Sequence, residues 1–332
     1  MLKKPEIQGI PLLSSPRIDI RWHTLTVFLN LRCGPQCSKV LSIDVHSVRI
    51  KRFGSFTEWR DDRHAPPAAK VFFVPTMGAL HEGHAELVKA ARDRADAAAG
   101  VDVEVVVSIF INPTQFNEPS DFEQYPSTPD DDVALLEKSG ADTVVFPSVG
   151  EMYPSGVPQA PGTVDFGALT NRLEGARRPG HFDGVVSIVR DLFLKVKPTT
   201  VFFGEKDWQQ LAVIQCLVRQ EFEGLEVVAV PTVRERDGLA MSSRNSRLSA
   251  ADRGVAPVLY AELDKVARDG SPRDACARAI ERLERQGFEV EYLEVLHGMT
   301  LEEDPWEPGA MRVFVAARLG GVRLIDNVVC VN

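Results

Sequence analysis

Between residues 71 and 230, short apolar runs alternate with stretches of helical period, and this alternation constrains the 332-residue chain more than any other feature. Strands are predicted at Val71–Val74, Val103–Ile111, Thr143–Phe146, Thr199–Phe203 and Val227–Val230. Helices are predicted at Ala85 to about Ala98, Asp130–Lys138, Val185–Val196 and Trp208–Gln220. The almost unbroken β-branched run Val103–Ile111 suits a strand covered on both faces, as in a parallel sheet. The expected fold is therefore α/β, a Rossmann-like doubly wound parallel sheet with ligands beyond the carboxyl ends of its strands.

After Arg236 the pattern changes. Ser249 with Asp252 three residues later is a capping signature, and the segment to Arg268 reads as one helix. Ser271-Pro272 opens another, which Gly287 ends. Three strand-like runs follow, Phe288–Leu296, Met311–Leu319 and Val322–Val331, with Gly320-Gly321 as a hairpin turn. This predicts a second, smaller α+β domain. The expected division is an N-terminal extension, 1–69, a Rossmann-like domain, 70–232, and a C-terminal domain, 233–332, closing over the site.

Residues 1 to about 65 follow neither pattern and end in His64-Ala65-Pro66-Pro67. Two explanations stay open: an appended arm, or a start upstream of the native one, with translation beginning near Val40 or Val48. N-terminal sequencing of the native protein separates them. Residues 1–60 carry ten Lys/Arg against four Asp/Glu, whereas the whole chain is at −9. That balance gives no support to a nucleic-acid partner. No apolar run approaches the roughly 20 residues of a membrane span, and Thr24–Leu31 is too short with no clear cleavage site after it. Cys33-Gly-Pro-Gln-Cys37 lacks a second Cys/His pair of suitable spacing, so incidental reduced thiols are expected. The composition describes a soluble, cytoplasmic enzyme.

Four segments carry chemistry, and the first three each begin at the end of a predicted strand. In Pro75-Thr76-Met77-Gly78-Ala79-Leu80-His81-Glu82-Gly83-His84 the strand gives way to a helix, whose free N–H groups and dipole suit a polyphosphate. His81 and His84, three apart, share a helix face. The zinc-protease helix needs three residues between its histidines, not two, so that chemistry is excluded. A purely structural pair is the remaining alternative. Ser108–Phe116 offers the amides of Asn112 and Gln115 to a small polar substrate, although Asn112-Pro113 is also an ordinary turn. In Gly204-Glu205-Lys206-Asp207, Lys206 is a cation at a helix N-terminus, a conflict that bound phosphate removes. Asp207 is either a helix cap or a ligand contact, and Gln210 lies one turn in. Met241-Ser242-Ser243-Arg244-Asn245 supplies two hydroxyls and a guanidinium that can close over a triphosphate. Arg177-Arg178-Pro179-Gly180-His181-Phe182 adds positive charge, for a substrate carboxylate or for surface ion pairs.

Together, in this order and with the closing Arg323-Leu324-Ile325-Asp326-Asn327, these segments resemble the pantothenate synthetase (pantoate–β-alanine ligase) family of the nucleotidyltransferase superfamily. The resemblance runs from about Val71 to about Asn327. It implies that ATP, with Mg²⁺, activates pantoate as pantoyl adenylate with release of pyrophosphate, and that β-alanine then displaces AMP to give pantothenate. It implies an ATP site of Met77 to His84, Gly204 to Asp207, Val233 and Met241 to Arg244. His84 would be the catalytic proton donor with His81 beside it, and Lys206 would meet the phosphates. Gln115 would contact pantoate and β-alanine, Gln210 pantoate, and Asn112 would share that pocket. The metal's protein ligands and the base for the β-alanine amine stay unassigned. The family is usually a homodimer. The arm before residue 70 has no counterpart in it, and the helix that commonly precedes the first strand is short or missing. Three rivals are another adenylyl-transferring enzyme, an RNA-linked synthetase and a catalytically dead nucleotide-binding protein. Product analysis with ATP, pantoate and β-alanine separates them.

Overall fold

The computed structural model describes residues 31–32, 38–39, 49–63, 70–116, 122–123, 125–158, 162–303, 306–307 and 309–331. Contacts divide the chain between Arg49 and Ile50. In the first unit β1 (Leu31–Arg32) pairs antiparallel with β2 (Ser38–Lys39). Cys33, Cys37, Val40, Val48 and the His64–Pro67 stretch lie outside the described residues.

In the second unit six strands form a parallel sheet: β3 (Lys51–Phe53), β4 (Lys70–Thr76), β5 (Val103–Ile109), β6 (Thr143–Val145), β7 (Thr200–Gly204) and β8 (Glu226–Val230). Their order is β3-β6-β5-β4-β7-β8. The chain runs outward from β4 through β5 to β6, then crosses back to β7 and β8. Strand order thus reverses between β4 and β7, where a doubly wound sheet leaves a crevice.

Both faces are covered, which explains the continuous apolar runs. Val105 and Val107 of β5 pack with Leu87, Val88 and Ala91 of α2 (Glu82–Ala97) and Leu136 of α3 (Pro129–Ser139). Val106, on the opposite face, packs with Val185 and Ile188 of α4 (His181–Val196) and Ile214 of α5 (Trp208–Glu221).

The sheet also reaches further upstream than the sequence pattern predicted. β3 adds to the edge beside β6, and α1 (Phe56–Asp62) follows it. Ser55 caps α1 through Glu58 N–H at 3.0 Å, and the helix buries Phe56 and Trp59 completely. Lys51-Arg52-Phe53 escaped notice because a three-residue edge strand bearing two cations shows no apolar run.

The C-terminal third forms a separate antiparallel sheet in the order β11-β10-β9, from β9 (Glu289–His297), β10 (Met311–Leu319) and β11 (Val322–Val329). Gly320-Gly321 turns the hairpin as predicted. The expected single helix to Arg268 is instead two, α6 (Ala250–Val255) and α7 (Val258–Ala267), because Pro257 cannot donate into the helical ladder. α8 (Pro272–Glu284) follows. One face of this sheet, with Leu293, Val295 and Val313, packs on α7 and α8. The other, with Tyr292, Leu296 and Phe314, joins the core that contains Phe73 and Ile214. Among the described residues no helix is long and apolar enough to cross a membrane.

Candidate active site

The loop after β4 is built around a carboxylate that the sequence patterns did not reveal. Asp132, in the first turn of α3 and 2% exposed, accepts the N–H of Ala79 at 3.0 Å and of Leu80 at 2.8 Å. Thr128 Oγ1 donates to the same carboxylate at 3.1 Å. These bonds hold Gly78 at φ +82° and Ala79 at φ +50°. The turn requires the left-handed region at both positions, a cost of about 1–3 kcal/mol for a residue with a Cβ.

His81 then caps α2. Its Nδ1 accepts the Gly83 N–H at 3.1 Å, and His84 Nδ1 accepts the His81 N–H at 3.3 Å. A neutral imidazole that accepts at Nδ1 carries its proton on Nε2. Both rings, with centroids 4.2 Å apart, are therefore fixed as Nε2–H donors. Burial, then the nearby Lys206 ammonium, lowers the His81 pKa to about 4. Burial, then His81 and Lys206, lowers that of His84 to about 3. Neither is cationic at neutral pH. Gly83 is required here, since a Cβ would stand 2.8 Å from the His81 ring.

β5 leads into a single 3₁₀ turn, Pro113–Gln115. Asn112, 1% exposed, lies in the cavity wall with its amide engaged. Its Oδ1 accepts from Tyr153 Oη at 2.5 Å and Thr114 N–H at 3.2 Å. The turn-forming role considered for this residue is thus the one its hydrogen bonds serve. Gln115 is held by its backbone carbonyl, which accepts from Arg178 Nη2 at 3.0 Å. Among the described residues its side-chain amide, like that of Gln210 on α5, has no hydrogen-bond partner.

The turn after β7 carries Lys206, whose Nζ is 3.7 Å from Asp207 Oδ2. Asp207 makes no side-chain capping bond to α5, so capping does not account for it. Met241 N–H donates to Val233 O at 2.9 Å, closing the base of a loop on which Ser242 Oγ accepts from Arg244 N–H at 3.2 Å.

These segments meet at a cavity of about 230 Å³ over the crevice between β4 and β7. Of the anticipated residues, Met77, His81, Gly83, His84, Asn112, Gln115, Gly204, Lys206, Asp207, Gln210, Val233 and Met241 to Arg244 line it. Gly78, Ala79, Leu80, Glu82 and Glu205 do not. Ala79 and Leu80 are held by Asp132 through their N–H groups, Gly78 N–H donates to Thr76 Oγ1 at 3.4 Å, Glu82 pairs with Lys89 at 2.7 Å, and Glu205 pairs with Arg312 at 3.2 Å. Tyr125 and an apolar wall that includes Phe110, Ile188, Val189 and Leu192 also line it. Asp132, Tyr125 and Tyr153 carry no local motif, and no signal in the sequence marks them. A second cavity of about 310 Å³ adjoins, sharing Lys206, Asp207, Ser242 and Arg244. Among the described residues no group of three His, Cys, Asp or Glu is arranged to hold a metal ion.

The family model described as pantoate-beta-alanine ligase matches residues 49–329, so the likeness begins about 20 residues before Val71 and the segment 49–69, expected to have no counterpart, belongs to it. The chain is similar to the pantothenate synthetase of Bdellovibrio bacteriovorus, 45% identical over 273 residues that cover 82% of this chain and 95% of that protein. It is equally similar to that of Granulibacter bethesdensis, 45% identical over 276 residues, 80% of this chain and 90% of that protein. Among solved structures, pantothenate synthetase from Thermus thermophilus superposes with a TM-score of 0.75 at 41% identity, covering 85% of this chain and all of that one. Pantoate-beta-alanine ligase from Francisella tularensis, complexed with beta-gamma ATP and beta-alanine, superposes with a TM-score of 0.71 at 32% identity, covering 84% and 97%.

Proposed function

The chain belongs to the pantoate–β-alanine ligase family, and from this premise we propose that it joins its two substrates through a pantoyl adenylate made with ATP. It is a ligase that makes pantothenate from pantoate and β-alanine. One observation supports the mechanism above the others: His81, His84, Lys206, Arg244, Gln115 and Gln210 all face one cavity at the topological switch point.

ATP lies with its triphosphate beside Met77, His81, Gly83 and His84 at the amino end of α2, with Lys206 and Met241 to Arg244 around the phosphates, Asp207 near the ribose and Val233 on the adenine side. Pantoate is held by the two free amides of Gln115 and Gln210, beside Asn112. A carboxylate oxygen of pantoate attacks the α-phosphorus, an O–P bond forms, and pyrophosphate leaves with the electrons of the broken P–O bond. Lys206 and Arg244 meet the negative charge that develops. The neutral imidazoles act as preorganised N–H donors, so His84 contributes a hydrogen bond rather than a released proton. The β-alanine amine, reaching the acyl carbon past Gln115, then forms the C–N bond, loses a proton and expels AMP. Asp207, whose carboxylate lines the cavity without capping α5, is the residue that would help hold Mg²⁺ brought in with ATP, and the ion would supply charge neutralisation.

Residues 70–232 hold ATP and pantoate in this proposal, and residues 233–332 close over them. The resemblance also implies a homodimer in the cytoplasm, tested by sedimentation. The mechanism is tested with pantoate carrying heavy oxygen in its carboxylate. One labelled oxygen in AMP is expected. Formation of ADP, with label in orthophosphate, overturns the adenylate.

A further inference from the structure

The closing segment Arg323–Asn327 has no part in the chemistry above, yet two of its side chains hold both cation-bearing loops. They leave β11 on opposite faces, as successive strand residues do. Asn327, 4% exposed, points toward the parallel sheet. Its Nδ2 donates to Glu205 O at 2.9 Å and Lys206 O at 3.0 Å, and its Oδ1 accepts from Arg312. Arg312 in turn lies over the Trp208 ring at 3.3 Å and bonds Glu205 Oε2 at 3.2 Å. The turn that presents Lys206 is therefore gripped by its backbone carbonyls and by its flanking side chains.

Asp326, also 4% exposed, points the other way. It accepts Arg234 Nη1 at 2.6 Å and Nη2 at 3.0 Å, with the guanidinium over Tyr260 at 3.8 Å. Arg234 bridges to Ala240 and donates to Gly238 O at 3.2 Å, so Asp326 anchors the base of the loop that ends in Ser242, Ser243 and Arg244.

We infer that Asp326 and Asn327 are positioning residues that set the spacing of Lys206 and Arg244 across the cavity without touching substrate. One strand step replaces two independent loop equilibria by a single rigid reference. This rests on the proposed assignment of Lys206 and Arg244 to the phosphates.

The test is a double-mutant cycle. Asn327→Asp keeps the shape and the acceptor for Arg312 but removes the donor to both carbonyls. Its kcat should fall on the order of 100-fold, the loss expected for a misplaced reacting group, with the KM for pantoate close to the parent, when assayed well below a thermal midpoint that the loss of two buried hydrogen bonds lowers. In Lys206→Ala the same substitution should add less than about a twofold loss, since coupled residues are not additive. Losses that multiply overturn the proposal. Should Asn327→Asp not fold, Asp326→Asn combined with Arg244→Ala gives the same cycle with the same two outcomes. If Lys206→Ala and Arg244→Ala alone leave turnover intact, the phosphate assignment itself is wrong, a result distinct from multiplying losses.

Discussion

Replacing Glu174 by glutamine tests the electrostatics of the molecule most directly. Glu174 is buried among partners from the antiparallel sheet and from its own helical turn: Arg323 at 2.6 and 2.7 Å, Tyr292 Oη at 2.6 Å and Arg178 at 3.5 Å. Burial alone would push its carboxyl up, but the hydrogen bonds and charge of Arg323, then Tyr292 and Arg178, outweigh it and hold the pKa at about 2 against 4.5 when exposed. At 1.36 kcal/mol per unit, the ionised form stabilises the fold by about 3 kcal/mol. Because the folded pKa is depressed, that stability is fully present above pH 4.5 and is lost as the pH falls toward 2. Glu174→Gln should therefore lower the free energy of urea unfolding at pH 7 by about 3 kcal/mol, in line with losing one member of a buried pair. The difference from the parent should shrink steadily below pH 4.5. Since Arg178 also bonds the Gln115 carbonyl, the KM for pantoate should rise. A difference at pH 7 below about 1 kcal/mol, or one that persists unchanged to pH 2.5, would refute the argument.

Lys206→Ala should lower kcat by about 3–4 kcal/mol of transition-state stabilisation with a smaller change in ATP affinity measured by calorimetry; equal losses would make the lysine a binding group only. His81 and His84 should leave no inflection near pH 6.5 in kcat/KM, because both rings stay neutral to about pH 4 and below. The same lowered values mean that the unfolded chain takes up these protons first, so this contribution to stability falls as the pH drops below 6.5. An inflection there that His84→Gln removes would contradict the tautomers deduced from the capping bonds. Asp132→Ala strips two half-buried N–H groups of their acceptor, at about 1 kcal/mol each, the low end of the range for unsatisfied groups. Unfolding titration should show a loss of that size and activity should fall with it; a near-neutral variant would mean that the loop does not depend on Asp132.

Much of this architecture was legible because its determinants are local. A two-sided strand such as β5 declares itself by its valines, and β10 fell where Met311–Leu319 was read. The strand–turn–helix junction after β4 was legible because a strand end, a glycine and a helix start follow each other directly. What escaped depends on residues distant in the chain. β3 matters as an edge beside β6, some 90 residues later, and not through its own pattern. Asp132 serves a loop 52 residues upstream, and Tyr153 fixes Asn112 from 41 residues away. The tautomers of His81 and His84 follow from two backbone bonds whose geometry no spacing rule supplies. The break at Pro257 lies inside the helix predicted from Ser249 to Arg268, and a capping signature at one end carries no information about it.

The placement of Tyr292, Leu296 and Phe314 in the core of Phe73 and Ile214 has a mechanical consequence. A wide swing of the C-terminal third, or its excision and grafting elsewhere, would expose that shared interior to water on both halves. In the proposed reaction, admission and discharge of substrates would fall to the short stretch beyond the Arg234–Ala240 bridge, Met241 to Arg247, against a scaffold that stays seated.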